Sequence, residues 1–311
     1  MSERKPWMTK SRIFGTGRAL PEKVLTNAEL EQRVETSDAW ITERTGIKER
    51  RILEPGRVTS DLAADAARAA MVAAGLGPAE IDCIVLCTVT PDMQMPASAV
   101  YVQQKLGIGT CAAFDISAAC AGFIYGLAIA DALVRCGQYS RVLVIGVEVL
   151  SRIVDWEDRN TCVLFGDGAG AVVVGPAERG SGSGAILSTH LFADGSGAEH
   201  LFIPGGGSKD PTSHQSVDAR LHKIKMNGRA VFSHAVRNIS AACQAALAAN
   251  GITAAEVDLV VAHQANLRIL DGVAQRLGLP LSRFYLNLHK YGNTSSASVP
   301  IALDEAVRDG T

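Results

Sequence analysis

Short, unbroken apolar runs alternate along this chain with longer Ala-rich stretches. The runs in "EIDCIVLC" (80–87), "SRVLVIGVEVL" (140–150) and "VDLVVAH" (257–263) lack the in-out alternation of a half-exposed strand. They predict short strands in a sheet covered on both faces, with parallel neighbours. "TCVLFGDGAGAVVVG" (161–175) predicts two more strands, joined at Gly166-Asp167-Gly168. Residues 122–135, "GFIYGLAIADALVR", are apolar nearly all round, which predicts a central, buried helix that stops at Gly137.

The pattern also repeats. "AAGLGPAEIDCIVLCTVTP" (73–91) and "AANGITAAEVDLVVAHQAN" (248–266) share a helix end, a glycine, an Ala-Glu-(Ile/Val)-Asp step and a β-branched strand. "QKLGI" (104–108) then answers "QRLGL" (275–279) in the same order. Two matches in one order predict a duplicated half, an α/β unit used twice. The 311-residue length suits two packed halves, placed at 1–180 and 181–311. The Gly/Ser-rich loops at 180–184 and 203–208 fall near the join and are read as connections.

Charge and cysteine content narrow the classes. A net charge of -2 gives no general reason to bind nucleic acid or an acidic membrane surface. The start "MSERKPWMTKSRIFGTG" has no secretory core, and no apolar stretch is long enough to span a bilayer, so a cytoplasmic enzyme is expected. The seven cysteines have neither a disulfide framework nor paired metal spacing, and no metal site is expected.

One thiol stands apart. In "FDISAACAGFIYG" Cys120 falls between an apolar run and the N-terminus of helix 122–135. Unpaired N–H groups and the helix dipole there favour an anion, which predicts a lowered thiol pKa. The small neighbours Ala118, Ala119, Ala121 and Gly122 leave room for a carbonyl, and the Cys120 N–H is one oxyanion donor. A packed core cysteine is the competing reading. Partners for a nucleophile are sought at other strand ends, where His263 and Asn293 ("LHKYGNTSSAS") stand.

With "IFGTGRALPEKVLTN", "TSDAWITERTGIKERR", "DISAACAGF", "FGDGAGA", "HQANLRI" and "GNTSSASVPIALDEAVRDG" in fixed order, the chain resembles the β-ketoacyl-acyl-carrier-protein synthase III enzymes of the thiolase superfamily. The resemblance implies a thiolase-like fold, two similar α/β halves in a five-layered αβαβα core, and a homodimer. It maps a catalytic triad to Cys120, His263 and Asn293. Coenzyme A contacts map to Trp40, Arg44 and Arg159, and the pantetheine channel to Gly228, Phe232 and Asn266. Met95 takes the place of an aromatic that limits the acyl pocket across the dimer. Carrier-protein docking maps to Gln264, Ala265, Asn266, Leu267 and Arg268, with Arg276, Lys223 and Lys225 nearby, while Ser233 departs from a common lysine. Relative to the family the chain is C-terminally shorter: beyond Thr311 relatives continue through a strand pair and a glycine-rich loop carrying the second oxyanion donor.

The implied activity is decarboxylative condensation of a short acyl-CoA with malonyl-acyl carrier protein through an acyl-Cys, giving the 3-oxoacyl carrier protein that initiates fatty-acid synthesis. Coenzyme A thioester is substrate, and no cofactor is called for. Two alternatives stay within the superfamily: an acyltransferase to a hydroxyl or amine acceptor, and an impaired coenzyme A binder. A papain-like protease would also use Cys, His and Asn in this order, but the C-G-[SA]-C-[WY] signature is missing.

Overall fold

The protein is seen here in a computed structural model that describes residues 10–177 and 184–311. The expected boundary between residues 180 and 181, the loop glycines before Gly184 and residues 1–9 lie outside the described residues. The chain runs β1 (Ser11–Ala19), β2 (Val24–Thr26), α1 (Asn27–Glu31), α2 (Asp38–Thr45), β3 (Glu49–Arg51), α3 (Thr59–Ala74), β4 (Cys83–Cys87), α4 (Ser98–Leu106), β5 (Ala112–Ile116), α5 (Gly122–Arg135), β6 (Val142–Val149) and β7 (Asp167–Pro176). It continues with β8 (Leu201–Phe202), α6 (His214–Asp218), β9 (Lys225–Met226), α7 (Gly228–Asn250), α8 (Leu267–Leu277), α9 (Leu288–Tyr291) and α10 (Ser298–Asp309).

A five-stranded sheet ordered β1-β7-β6-β4-β5 forms the centre. It is mixed rather than parallel throughout: β4 runs parallel to β5 and β6, whereas β7 is antiparallel to β6 and β1. Strand β7 follows β6 with no crossover helix between them and so returns in the opposite direction. Helices α3 and α4 cover one face, burying Leu62, Ala66 and Val102 against Ile84, Leu143 and Ile145. Helix α5 covers the other with Phe123, Ala130 and Val134 against Val85, Val144 and Val172, and Val299 of α10 joins that cluster.

The stretch 161–175 forms one strand, not two. Local turn bonds capture residues 161–164, with Cys162 N–H donating to Asp158 O at 3.0 Å and Leu164 N–H to Thr161 O at 3.1 Å. Helix α5 forms where expected and Gly137 closes it at φ 75°, but only Gly122, Phe123, Gly126, Ala130, Asp131 and Val134 are buried, not the whole circumference.

The duplication is visible in backbone detail. Helices α3 and α7 both end on a left-handed glycine, Gly75 and Gly251, followed by a short 3-10 turn whose glutamate reaches back to the chain. Glu80 accepts from Gly77 N–H at 2.8 Å and Glu256 from Thr253 N–H at 2.7 Å. The halves then diverge. β4 is a full strand, but 257–263 is extended with one parallel bridge, Val260 to Phe284. With a single neighbouring segment, its backbone pairing across that bridge is Val260 N–H to Arg283 O and Tyr285 N–H to Val260 O.

A second correspondence joins the halves. Ala119-Cys120-Ala121 before α5 and Ser295-Ser296-Ala297 before α10 are both 3-10 turns that open with a non-glycine residue at positive φ, 44° and 47°. Such conformations cost about 1–3 kcal/mol each and persist only where the surroundings impose them. The two turns pack on each other at the molecular centre: a Cβ added at Gly122 would meet Ser296 Cβ at 3.2 Å and Cys87 Cβ at 3.3 Å.

Candidate active site

Cys120, His263 and Asn293 open into one cavity of about 1190 Å³ that also takes in Trp40, Arg44, Gly228, Phe232, Ala265, Asn266 and Arg268. Three separate segments deliver the triad. Cys120 comes from the turn before α5, His263 from the extended segment after residue 257, and Asn293 from the loop before the Ser295 turn.

Each polar side chain is held by neighbours. Asn293 accepts Ser295 N–H through Oδ1 at 2.8 Å, which leaves its amide nitrogen free of that contact. Its backbone pairs with the Phe165 segment, and the close approach requires glycine on both sides: a Cβ on Gly292 would meet Leu164 O at 2.7 Å, and one on Gly166 would meet Tyr291 O at 2.4 Å. His263 Nδ1 lies 2.5 Å from Ser298 Oγ, which accepts Gln264 N–H at 3.1 Å. Burial pushes the imidazole down to about 4, so it is neutral at pH 7.

The thiol departs from expectation. Burial pushes Cys120 up to about 11, and the nearby Glu148 carboxylate pushes in the same direction. The Ser295 hydroxyl and the Cys120 backbone oppose this but do not outweigh it. Desolvation therefore overrides the helix N-terminus on which the expected low pKa rested.

The mouth of the cavity is cationic and aromatic. The guanidinium carbons of Arg44 and Arg159 lie 4.8 and 5.1 Å from the Trp40 ring centroid, and that of Arg268 lies 5.7 Å from the Phe232 ring. Arg159 also donates to Glu35 O at 2.8 Å and is not among the lining residues. Asn266 caps α8, accepts Arg268 N–H at 2.9 Å and donates to Arg44 O at 3.0 Å, tying the two sides of the mouth together.

Two expectations need correction or qualification. Gln264 cannot touch a docking partner: it is 1 % exposed, donates to Ala262 O and Tyr285 O and accepts Asn287 N–H. It clamps the His263 segment to the chain opposite. Met95 is 83 % exposed and does not line the cavity of this single chain. Lys223 and Lys225 are engaged by Arg152 O and Asp155 respectively, leaving Arg268 and Arg276 as exposed cations on α8.

Sequence reasoning missed Arg229, Asn160 and Glu148. Arg229 and Asn160 line the cavity. Glu148 is fully buried beneath it and held by Thr90 Oγ1, Val89 N–H, Ser295 Oγ and Ser296 Oγ. A carboxylate inside the apolar run "VLVIGVEV" was the available signal.

The family models described as 3-Oxoacyl-[acyl-carrier-protein (ACP)] synthase III and its C-terminal part match residues 114–195 and 247–311. The β-ketoacyl-acyl-carrier-protein synthase III of Caldanaerobacter subterraneus is 54% identical over 298 residues, 96% of this chain and 89% of that protein. The chain belongs to the β-ketoacyl-acyl-carrier-protein synthase III family. It is a condensing enzyme of the acyltransferase type, and its α/β fold is thiolase-like. The crystal structure of the synthase III from Aquifex aeolicus matches with a TM-score of 0.89 and 48% identity, covering 96% of this chain and 91% of that one. The Pseudomonas aeruginosa synthase III matches with a TM-score of 0.88 and 40% identity, covering 97% and 90%.

Proposed function

We propose that this synthase III joins a short acyl-CoA primer to malonyl-acyl carrier protein in two half-reactions, giving the 3-oxoacyl carrier protein that starts fatty-acid synthesis. The observation that carries this is one cavity holding Cys120, His263 and Asn293 behind a mouth of Trp40, Arg44 and Arg268.

In the first half-reaction the primer's adenine lies at Trp40 beside Arg159, Arg44 takes a phosphate, and the pantetheine arm passes Gly228, Phe232 and Asn266. Cys120 sulfur attacks the thioester carbonyl, its backbone N–H receives the oxyanion, and coenzyme A departs. In the second, malonyl-carrier protein docks near Arg268, with Ala265 and Leu267 forming the adjoining wall. Loss of carbon dioxide leaves an enolate whose oxygen accepts from His263 and the Asn293 amide. A neutral imidazole suits this donor role, which requires the proton on Nε2 and so assigns Ser298 O–H as the donor to Nδ1. The enolate carbon then displaces Cys120 from the acyl group. No metal or redox group takes part.

A cytoplasmic homodimer is the form we assign to the enzyme. β5 is an edge strand whose five residues are all half-buried, and Met95 projects into solvent, so a second copy there would cover both. Among the described residues no helix is long and apolar enough to cross a membrane.

Separating the half-reactions tests the roles. His263→Ala and Asn293→Ala are expected to retain acyl-enzyme formation from acetyl-CoA and to lose carbon dioxide release from malonyl-carrier protein by about 100-fold or more. Loss of acylation alone contradicts the assignment. Acyl transfer to a hydroxyl or amine without carbon dioxide release would instead support an acyltransferase.

A further inference from the structure

Glu148 is a fully buried carboxylate on β6, the middle strand of the sheet, where an ionised group is costly unless it serves a purpose or is fully bonded. It stands near the end of β6, where its Oε2 receives Thr88 Oγ1 at 3.3 Å, Thr90 Oγ1 at 2.8 Å and Val89 N–H at 3.1 Å. Its Oε1 receives Ser295 Oγ at 3.2 Å and Ser296 Oγ at 3.0 Å. The Thr88 to Thr90 side fixes the carboxylate in place. The Ser295 side faces the nucleophile, because the turn that Ser295 opens packs against the Cys120 turn and the Ser295 hydroxyl lowers the thiol's pKa against the effect of burial. The strained backbone at Ser295 is held by Asn293 Oδ1 accepting its N–H, which fixes the hydroxyl that donates to the carboxylate.

We propose that Glu148 is a positioning residue for the acylation half-reaction, taking up the Cys120 proton through the Ser295 hydroxyl as sulfur attacks the thioester. This rests on the thioester reading given above. As the S–C bond forms, Cys120 S–H passes its proton to Ser295 Oγ and Ser295 passes its own to Glu148 Oε1. As the bond from carbon to the coenzyme A sulfur breaks, Glu148 Oε1 returns the proton to Ser295 Oγ, and Ser295 passes its own to the departing coenzyme A sulfur. The carboxylate is restored, free coenzyme A thiol leaves, and no net charge is created in the buried site at any stage.

The electrostatics agree with this route. Burial raises Glu148 to about 7, near the pH at which a proton acceptor works best, whereas the thiol alone would ionise only near 11. The titratable groups that face Glu148 are Cys120 from the turn before α5 and Cys87 from β4. Cys87 is pushed far up by burial and stays a thiol. The remaining contacts are the threonine and serine hydroxyls and the Val89 N–H already named.

The test follows the rate of acetyl-Cys120 formation by rapid quench and intact mass, across a pH series, in the full chain and in Glu148→Gln, Glu148→Asp and Ser295→Ala. The unaltered enzyme is expected to speed up with pH and level off near about 7. Glu148→Gln and Ser295→Ala are expected to be about 100-fold slower at neutral pH, without that bend, and to gain with each further pH unit as the thiolate forms directly. Glu148→Asp is expected to restore part of the rate and the bend. Alkylation of Cys120 by iodoacetamide should bend at the same pH; because it needs no acyl-CoA, a failure of the thioester reading leaves this readout intact. A bend that survives Glu148→Gln, or a loss equal at every pH, overturns the proposal. If Glu148→Gln does not fold, Ser295→Ala and Glu148→Asp decide it by the same criteria.

Discussion

Burial disfavours the charged form of the titratable groups at the centre of this enzyme by opposite routes: it raises the acids Cys120 and Glu148 and depresses the base His263. The consequences for stability have opposite signs. Glu148 goes from 4.5 to about 7 on folding, so the native chain binds more protons across that interval and stability falls as pH rises through it. His263 goes from 6.5 to about 4, so the unfolded chain binds more and stability falls as pH drops through that interval. Each effect is worth roughly 3 kcal/mol, and they offset one another where they overlap. The advantage of the wild type over Glu148→Gln is therefore expected to shrink by roughly 3 kcal/mol between about pH 4.5 and 7.5 and then hold constant. Urea unfolding of both proteins at several pH values measures it, and parallel curves throughout would contradict the assignment. Cys120 was legible in the sequence because its small neighbours and following helix are local features. Its high pKa was not, since the burial that raises it comes from segments far away in the chain, among them the Ser295 turn that packs on the Cys120 turn.

At the scale of elements, the position of Cys120 depends on how closely α5 approaches the sheet. Gly126 sets that distance: a Cβ there would meet Cys87 Sγ at 2.6 Å and Val144 Cγ1 at 2.9 Å. Gly126→Val is expected to cost roughly 3 kcal/mol or more, because neither β4 nor β6 can retreat. Thermal unfolding reads the loss, and an unchanged midpoint would show that α5 is free to shift. The apolar period foretold α5, and the glycine stops foretold the ends of α3 and α7. It misjudged residues 161–164 and 257–263, where apolar content alone suggested strands. There, side-chain turns around Asp158 and a shortage of neighbours decide the backbone instead. The Ser295 turn that mirrors the Cys120 turn was hidden because its likeness lies in dihedral angles rather than residue identity.

For the whole molecule, duplication explains why the site is central: two matching turns meet end to end between the halves, and the cavity opens over their junction. Long-range pairing brings Cys120, His263 and Asn293 together, which is why their company came from family resemblance and not from spacing. The proposed docking of a second protein belongs to the mouth. Arg268→Glu is expected to raise the KM for malonyl-carrier protein about tenfold, more at low salt, while leaving acylation by acetyl-CoA unchanged. An equal effect on both half-reactions would move Arg268 from docking to the coenzyme A path. The central claim is that one buried thiol carries the acyl group. Intact-mass analysis of the full chain mixed with acetyl-CoA tests it most directly: one acetyl increment is expected, mapped to the peptide holding Cys120 and absent from Cys120→Ala. No increment, or one that persists in Cys120→Ala, would contradict it.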